Sequence, residues 1–269
     1  MRSAVLFAAR LRRLQVVTRS DSNIYAVAGE HSLKRSVRRT IMRIAFPSWT
    51  RVWTVGKANE GFWRDYVGRT NTHLIPYSTP RLPDSMSLEP TRRRSDPARL
   101  RFLFVGRLVP GKAVDVLLRA FMGLRGEEYQ QWSLTIVGHG PEREGLQAAA
   151  SGNSRVRFAG SAEYRDLDQF YREADVLVLP SQREAWGLVV NEALAFGLWV
   201  VCSDAVGARE LLTSPERGAT FRAGATDELR DTLKAATGFL DRVPRPPSDP
   251  SDAMAADLNR MLARSSHGH

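Results

Sequence analysis

From residue 100 onward the chain alternates between two hydrophobic rhythms. Short apolar runs at 101–105, 132–137, 156–158, 175–179 and 199–202 are bounded by glycine, proline or polar residues. Runs of that length read as strands buried on both faces. Between them lie stretches whose apolar residues recur three and four apart. These are 114–124, with Val114, Leu117, Leu118 and Phe121 on one side, a stretch ending near Ala150, 167–172, the residues after Gly187, and 226–237; Gly218 to Phe221 reads as a last short strand. Strands alternating with helices through short connections predict a parallel, doubly wound α/β sheet.

The first hundred residues are less regular. Residues 3–14 read as a helix, 15–18 as a strand, 51–55 as a strand, 58–66 as a helix and 73–76 as a strand. Leu33, Val37, Ile41 and Ile44 fall at offsets of four, four and three, which is one face of a helix over 33–46. Lys34, Arg35, Arg38, Arg39 and Arg43 occupy its other faces. Two readings stand: a solvated charged face above a packed stripe, or a basic amphipathic helix that lies on anionic lipid. Prolines 80, 83, 90 and 97, with Arg92 to Arg94 between them, mark a linker. The predicted organisation is an N-terminal lobe over 1–80, a linker over 81–98, a domain over 99–245, and a closing helix and tail over 246–269. No strand with a glycine-rich turn opens the first lobe, so that lobe is expected to be incomplete.

Composition narrows the classes. The 269 residues leave room for about two domains. The single cysteine, Cys202, lies in an apolar strand pattern, so neither an intrachain disulfide nor a Cys/His metal cluster is available. A buried thiol in a reducing, cytoplasmic setting is expected. No apolar run approaches the ~20 residues of a membrane span. The run from Ala4 to Ala9 is short for a secretory signal and meets Arg10, Arg12 and Arg13. Residues 1–100 carry 19 basic and 7 acidic side chains, the remainder 20 and 22. The basic excess is therefore confined to the first third, which suits one half facing an anionic surface better than a nucleic-acid-binding protein.

Candidate chemistry gathers at three strand ends. After 101–105 come Gly106, Gly111 and Lys112, which satisfy the first seven positions of a triphosphatase P-loop between a strand and a helix, with Arg107 beside them. The eighth, Ala113, has no hydroxyl for magnesium, and Pro110 removes an N–H from any phosphate cradle. Two cations remain, suited to a diphosphate without metal, or simply solvated on a βα turn. After 132–137 comes Gly138-His139-Gly140-Pro141, a close backbone approach or a tight turn. The stretch 180–200 holds Glu184 just before a helix, Gly187 at its start and Glu192 inside it. A helix N-terminus at the carboxyl end of a strand favours anions, and the acids suit hydroxyls. Arg107 and Lys112 are expected two or more strands away on the same sheet edge.

The segments VGRLVPGK, IVGHGP, VRFAG, ADVLVLPSQREAWGLVVNEALAFGLWVV and GARELL, in this order, resemble the donor-binding half of the retaining glycosyltransferases of family four, the group 1 glycosyltransferases. The two glutamates are the most specific element. The resemblance covers 101–240 well and 15–80 loosely. It implies a GT-B-like α/β fold: a complete C-terminal Rossmann-like sheet and an incomplete N-terminal Rossmann-like lobe, whose usual opening would lie upstream of residue 1. Trp199 stands where the family usually has proline, and the crossover helix ends early. The implied activity is metal-independent, hexosyltransferase-like transfer of a sugar from a nucleotide-sugar to a hydroxyl of a glycan or glycolipid, in polysaccharide, lipopolysaccharide or glycolipid synthesis. No cofactor, metal or nucleic acid is implied. The expected location is cytoplasmic, at the inner face of the membrane if residues 33–46 bind it. The resemblance assigns Gly106, Arg107, Lys112, Gly138, Glu184, Gly187, Leu188, Val189 and Glu192 to the donor, with Arg107, Lys112 and Glu184 nearest the chemistry. An inactive nucleotide-sugar-binding module and a GT-B-like epimerase are the alternatives.

Overall fold

The computed structural model describes residues 17–20, 32–46, 50–68, 71–75, 77 and 96–239. The helix expected at 3–14, the closing helix and tail expected over 246–269, and most of the proline-rich linker lie outside these residues. The chain divides into two compact units, one drawn from 1–78 and 248–269, the other from 79–247.

The first unit carries three parallel strands in the order β1 (Val17–Ser20), β2 (Arg51–Thr54), β3 (Thr72–Leu74), with helices α1 (Ser32–Ala45) and α2 (Lys57–Val67). Its buried cluster is Val52, Phe62, Trp63 and Val67, and Met42, Phe46 and Tyr66 pack against it. Phe46 meets the Trp63 ring edge-on at 4.9 Å. The expectation of a packed stripe on α1 is corrected here. Met42 and Phe46 face the core, whereas Val37, Ile41 and Ile44 are 52%, 58% and 75% exposed. Burying the aromatic cluster of α2 outweighs burying the more regular aliphatic row.

The second unit is a six-stranded, all-parallel sheet in the order β6 (Val156–Gly160), β5 (Ser133–Val137), β4 (Arg101–Val105), β7 (Val176–Leu179), β8 (Trp199–Ser203), β9 (Gly218–Phe221). Its helices are α3 (Val114–Met122), α4 (Arg143–Ala149), α5 (Leu167–Glu173), α6 (Leu188–Ala195) and α7 (Thr226–Ala235). Every residue of β7 and β8 is buried, as continuous apolar runs require in a covered parallel sheet. Cys202 is buried within β8, and burial pushes its thiol up to about 12. Trp199 is buried too; its Nε1 donates to the Pro215 carbonyl at 2.8 Å and its ring stacks on Phe239.

The strand order reverses at one place. The chain runs outward from β4 through β5 to β6, then returns to lay β7 on the other side of β4. Arg107 and Lys112 therefore follow a strand adjacent to the one that precedes Glu184, not one two or more strands away. At the amino end of this pair, Asp175, 1% exposed, accepts from the Arg101 Nε, Nη2 and backbone N, each at 3.0 Å.

Past their carboxyl ends, β4 and β5 continue as interlocked loops. Gly106 N donates to the Val137 carbonyl at 3.0 Å, Leu108 N to His139 at 2.9 Å, and Glu142 N to Leu108 at 3.1 Å. The approach is so close that a Cβ on Gly138 would stand 1.8 Å from the Gly106 oxygen, and one on Gly140 2.2 Å from the Leu108 oxygen. Gly138 also has φ +147. Gly138→Ala should therefore cost about 3 kcal/mol of folding free energy, the clash and the disfavoured φ acting together. A urea titration checks this as a lower midpoint at unchanged slope.

Candidate functional site

The second unit places ligand-binding chemistry where an open α/β sheet is built for it, in the crevice where strand order reverses. Two loops meet there. The loop after β4 passes Gly106 and exposed Arg107 and makes one 3₁₀ turn, Pro110–Lys112. It enters α3 through Ala113, at φ 50 and ψ 42 the single non-glycine residue with positive φ among those described. Holding alanine there costs about 1–2 kcal/mol, and its methyl is fully buried. The turn, closed by Lys112 N to the Val109 carbonyl at 2.9 Å, brings the lysine to the loop after β7.

That second loop is tied on both sides. Gln182 N donates to the Gly111 carbonyl at 2.9 Å. Glu184 N donates to Ala205 and Gly207 N to Glu184, each at 3.1 Å, which adds a parallel bridge beyond the end of the sheet. Beneath, Ser203 Oγ donates to the Ser181 carbonyl, and both serines are fully buried. The side chains then converge. Lys112 Nζ donates to Glu184 Oε2 in an ion pair with both side chains about one-fifth exposed, and Ser181 Oγ donates to the same oxygen at 3.4 Å. Arg107 has no hydrogen bond or ion pair to a described residue, so its charge stays open to solvent.

Gly187, at φ +99, turns the chain into α6. A Cβ there would stand 3.0 Å from Leu179 and 3.3 Å from both Glu184 and Val206. The N–H groups of Gly187, Leu188 and Val189 find no acceptor among the described residues, while Val190 N closes on Gly187 at 2.9 Å. Open amides at a helix start present partial positive charge. Trp186 Nε1 braces the turn on Asn191 Oδ1 at 2.8 Å.

Glu192 lies one turn into α6. Its Oε2 accepts from the Tyr171 hydroxyl at 2.5 Å, and Tyr171, 2% exposed, stacks on Phe196 with centroids 5.2 Å apart. Burial raises the Glu192 carboxyl above the usual range, the Tyr171 hydrogen bond pulls it back, and Asp168 raises it further. The Tyr171 phenol is itself pushed up, by burial first and then by the Glu192 charge.

The structure thus brings Lys112 and Glu184 into contact, with Arg107 on the same loop and the α6 amides after Glu184. Gly106 and Gly138 serve the packing of the loops after β4 and β5. Tyr171, Ser181 and Ser203 escaped the sequence reading. Tyr171 looks like a core residue of α5, and only the polar hydroxyl in an apolar row hinted at a partner.

A crevice of this kind, lined by cations, open amides and carboxylates, has the chemistry to suit a phosphorylated, hydroxyl-rich ligand. The family model for glycosyl transferases group 1 matches residues 89–237, and the chain belongs to that family. It is 38% identical over 152 residues to the D-inositol 3-phosphate glycosyltransferase of Nocardia farcinica, covering 53% of this chain and 34% of that protein. It is 29% identical over 201 residues to an uncharacterised glycosyltransferase of Haemophilus influenzae, covering 72% and 54%. The chain therefore spans about a third to a half of these curated relatives. Among solved structures, Anabaena HepE in complex with UDP and glucose matches with a TM-score of 0.65 at 18% identity, over 100% of this chain and 76% of that one. Sucrose-phosphate synthase of Thermosynechococcus elongatus matches with 0.67 at 20%, over 97% and 71%. These two share the fold, the GT-B-like α/β arrangement of parallel sheets.

Ser203→Ala removes the donor that satisfies the buried Ser181 carbonyl. It should cost about 1–3 kcal/mol, seen in urea unfolding, with faster amide exchange across 181–184.

Proposed function

We propose that the second unit binds the donor of a retaining glycosyltransfer, in which a sugar passes from a nucleotide-sugar to an acceptor hydroxyl with its anomeric configuration kept. The observation that carries this reading is the convergence of Lys112, Glu184 and the open α6 amides at the sheet's reversal point, in a member of the group 1 family. The barrier in such a reaction is charge separation, because the diphosphate leaves as an anion while the sugar becomes oxocarbenium-like. Arg107 and Lys112 take the diphosphate oxygens, helped by the amides of Gly187, Leu188 and Val189. Preorganised donors of this kind contribute roughly 3–4 kcal/mol each in comparable anion sites. Donor binding exchanges the Lys112–Glu184 pair for two contacts, lysine to phosphate and carboxylate to sugar hydroxyls. Glu192 accepts from the ribose. Positive charge is thus supplied by side chains and backbone, and the reading calls for no metal. The relatives named above are transferases, which favours transfer over epimerisation or binding alone.

The acceptor in this reading is a glycan or glycolipid, and α1 supports the lipid side. Among the described residues no helix is long and apolar enough to cross a membrane. Instead α1 shows Val37, Ile41 and Ile44 to solvent, beside exposed Lys34, Arg39 and Arg43. An apolar row flanked by cations suits a helix lying in the headgroup layer of an anionic membrane, on the cytoplasmic face.

Lys112→Ala and Glu192→Ala should each weaken diphosphate-nucleoside binding about tenfold or more, the scale of one charge-assisted contact. Isothermal titration with UDP, GDP and ADP reads this; wild-type affinity in both variants would remove the site assignment. For α1, the chain should sediment with phosphatidylserine vesicles and not with neutral ones. The charge reversals Arg39→Glu and Arg43→Glu together should abolish sedimentation, and retention by the double variant would count against the membrane role.

A further inference from the structure

Glu192 is an awkward residue for a hydroxyl acceptor. It is partly buried, which favours protonation, and a carboxylate on a helix has several rotamers to lose on binding. The structure answers both problems with one side chain. Tyr171 reaches from α5, buried, with its ring clamped against Phe196, and its hydroxyl donates to Glu192 Oε2. Arg172 lies over the other partner of that stack, 5.7 Å from the Phe196 ring centre. Glu192 Oε1 has no hydrogen-bond partner among the described residues and is not shut away from solvent.

We infer that Tyr171 is a positioning residue for the donor site: it fixes one oxygen of Glu192 so that the other is presented, ionised and in a single orientation, to the ribose hydroxyls. The inference rests on the donor-binding reading above and says which residue makes its ribose contact work. A phenol donating to one oxygen stabilises the charged carboxylate and leaves the second oxygen's lone pairs for two ligand hydroxyls. The role is one of position, because Tyr171 reaches the ligand only through Glu192. The tyrosine is held, in turn, by a stack that persists whether or not its hydroxyl is present. Among the other titratable groups nearby, Asp168, also on α5, raises the Glu192 carboxyl, and Tyr164, in the turn that precedes α5, has its own phenol raised by burial and then by the Glu192 charge. Asp168 opposes ionisation of Glu192, and the Tyr171 hydroxyl favours it.

The sign of the pH effect follows. The carboxylate is the competent form, so ribose-dependent binding is present above the Glu192 pKa and fades as pH falls through it. Tyr171 lowers that pKa; without its hydroxyl the pKa rises, and the loss of binding moves to higher pH.

The test is calorimetry with UDP, GDP and ADP and with their 2′,3′-dideoxy analogues, on wild type, Tyr171→Phe, Glu192→Gln and the double variant. Phenylalanine keeps the ring and its stack. Wild type should prefer a ribose diphosphate over its dideoxy analogue. Tyr171→Phe should lose about tenfold on the ribose form, keep the dideoxy affinity, and show its acid limb at higher pH. In the Glu192→Gln background the same change should add less than twofold. Equal losses on both analogues, additive losses in the double variant, or an unshifted acid limb would reduce Tyr171 to packing and overturn the inference while leaving the donor reading intact. No binding of any of the three diphosphates by wild type, or no preference for ribose, would overturn the donor reading itself and the inference with it. Should Tyr171→Phe fail to fold, the Glu192→Gln comparison and the wild-type pH profile still decide whether a ribose-specific, ionised Glu192 exists for Tyr171 to position.

Discussion

The pairing of β4 with β7 is the constraint on which the site depends. Two register pairs, Phe102 with Val176 and Leu103 with Leu177, join segments more than seventy residues apart. At the amino end the pairing is locked by Asp175, nearly inaccessible and filled by three donors from Arg101. A slip by one residue would send every side chain of the strand to the opposite face and leave that carboxylate buried without its partners, a loss of several kcal/mol. At the carboxyl end the same pairing sets the loop that carries Lys112 beside the loop that carries Glu184, and Gln182 N to Gly111 O stitches them. A charge network at one end of two strands thus determines which charges meet at the other.

Much of this was legible in the residues, and the limits are physical. Short runs of three to six residues between spaced helical stretches recovered β4 to β9 and their helices to within a few residues, because a parallel sheet covered on both faces has few other ways to be written. The glutamates, Gly187 and the cations were legible as residue types at strand ends. What the chain does not display in one dimension is adjacency. The strands that precede Lys112 and Glu184, β4 and β7, have two strands between them in sequence and none in the sheet, because the crossover returns to β4. Tyr171 and Glu192 lie 21 positions apart on different helices, and no local periodicity encodes their contact. Gly138 read as either a tight turn or a close backbone approach; which of the two it serves is decided by the Gly106 carbonyl, supplied by the loop after another strand. On α1 the regular spacing was right and its packed-stripe reading was not: the aliphatic row faces outward because the aromatic side of α2 takes Met42 and Phe46 instead.

The site gathers positive charge in three physically different forms. The α6 amides are fixed by the helix and by the Gly187 turn, and need no reorganisation when an anion arrives. Lys112 is held in advance by Glu184, so the rotamer entropy of a long side chain, up to about 2 kcal/mol, is largely spent before any ligand binds. Arg107 is exposed and unheld, and bears that cost at the moment of contact. A leaving diphosphate is stabilised most by charges that do not have to move. In the proposed reaction the amides and Lys112 therefore carry more of the rate than Arg107, whose free side chain is better suited to capturing the anion from solution. The carboxylates complete the logic. In the proposed reaction Glu184 keeps a buried-edge lysine neutralised until phosphate replaces it, and there Glu192, steadied by Tyr171, reads hydroxyls that a purely cationic crevice could not distinguish from any other phosphate ester.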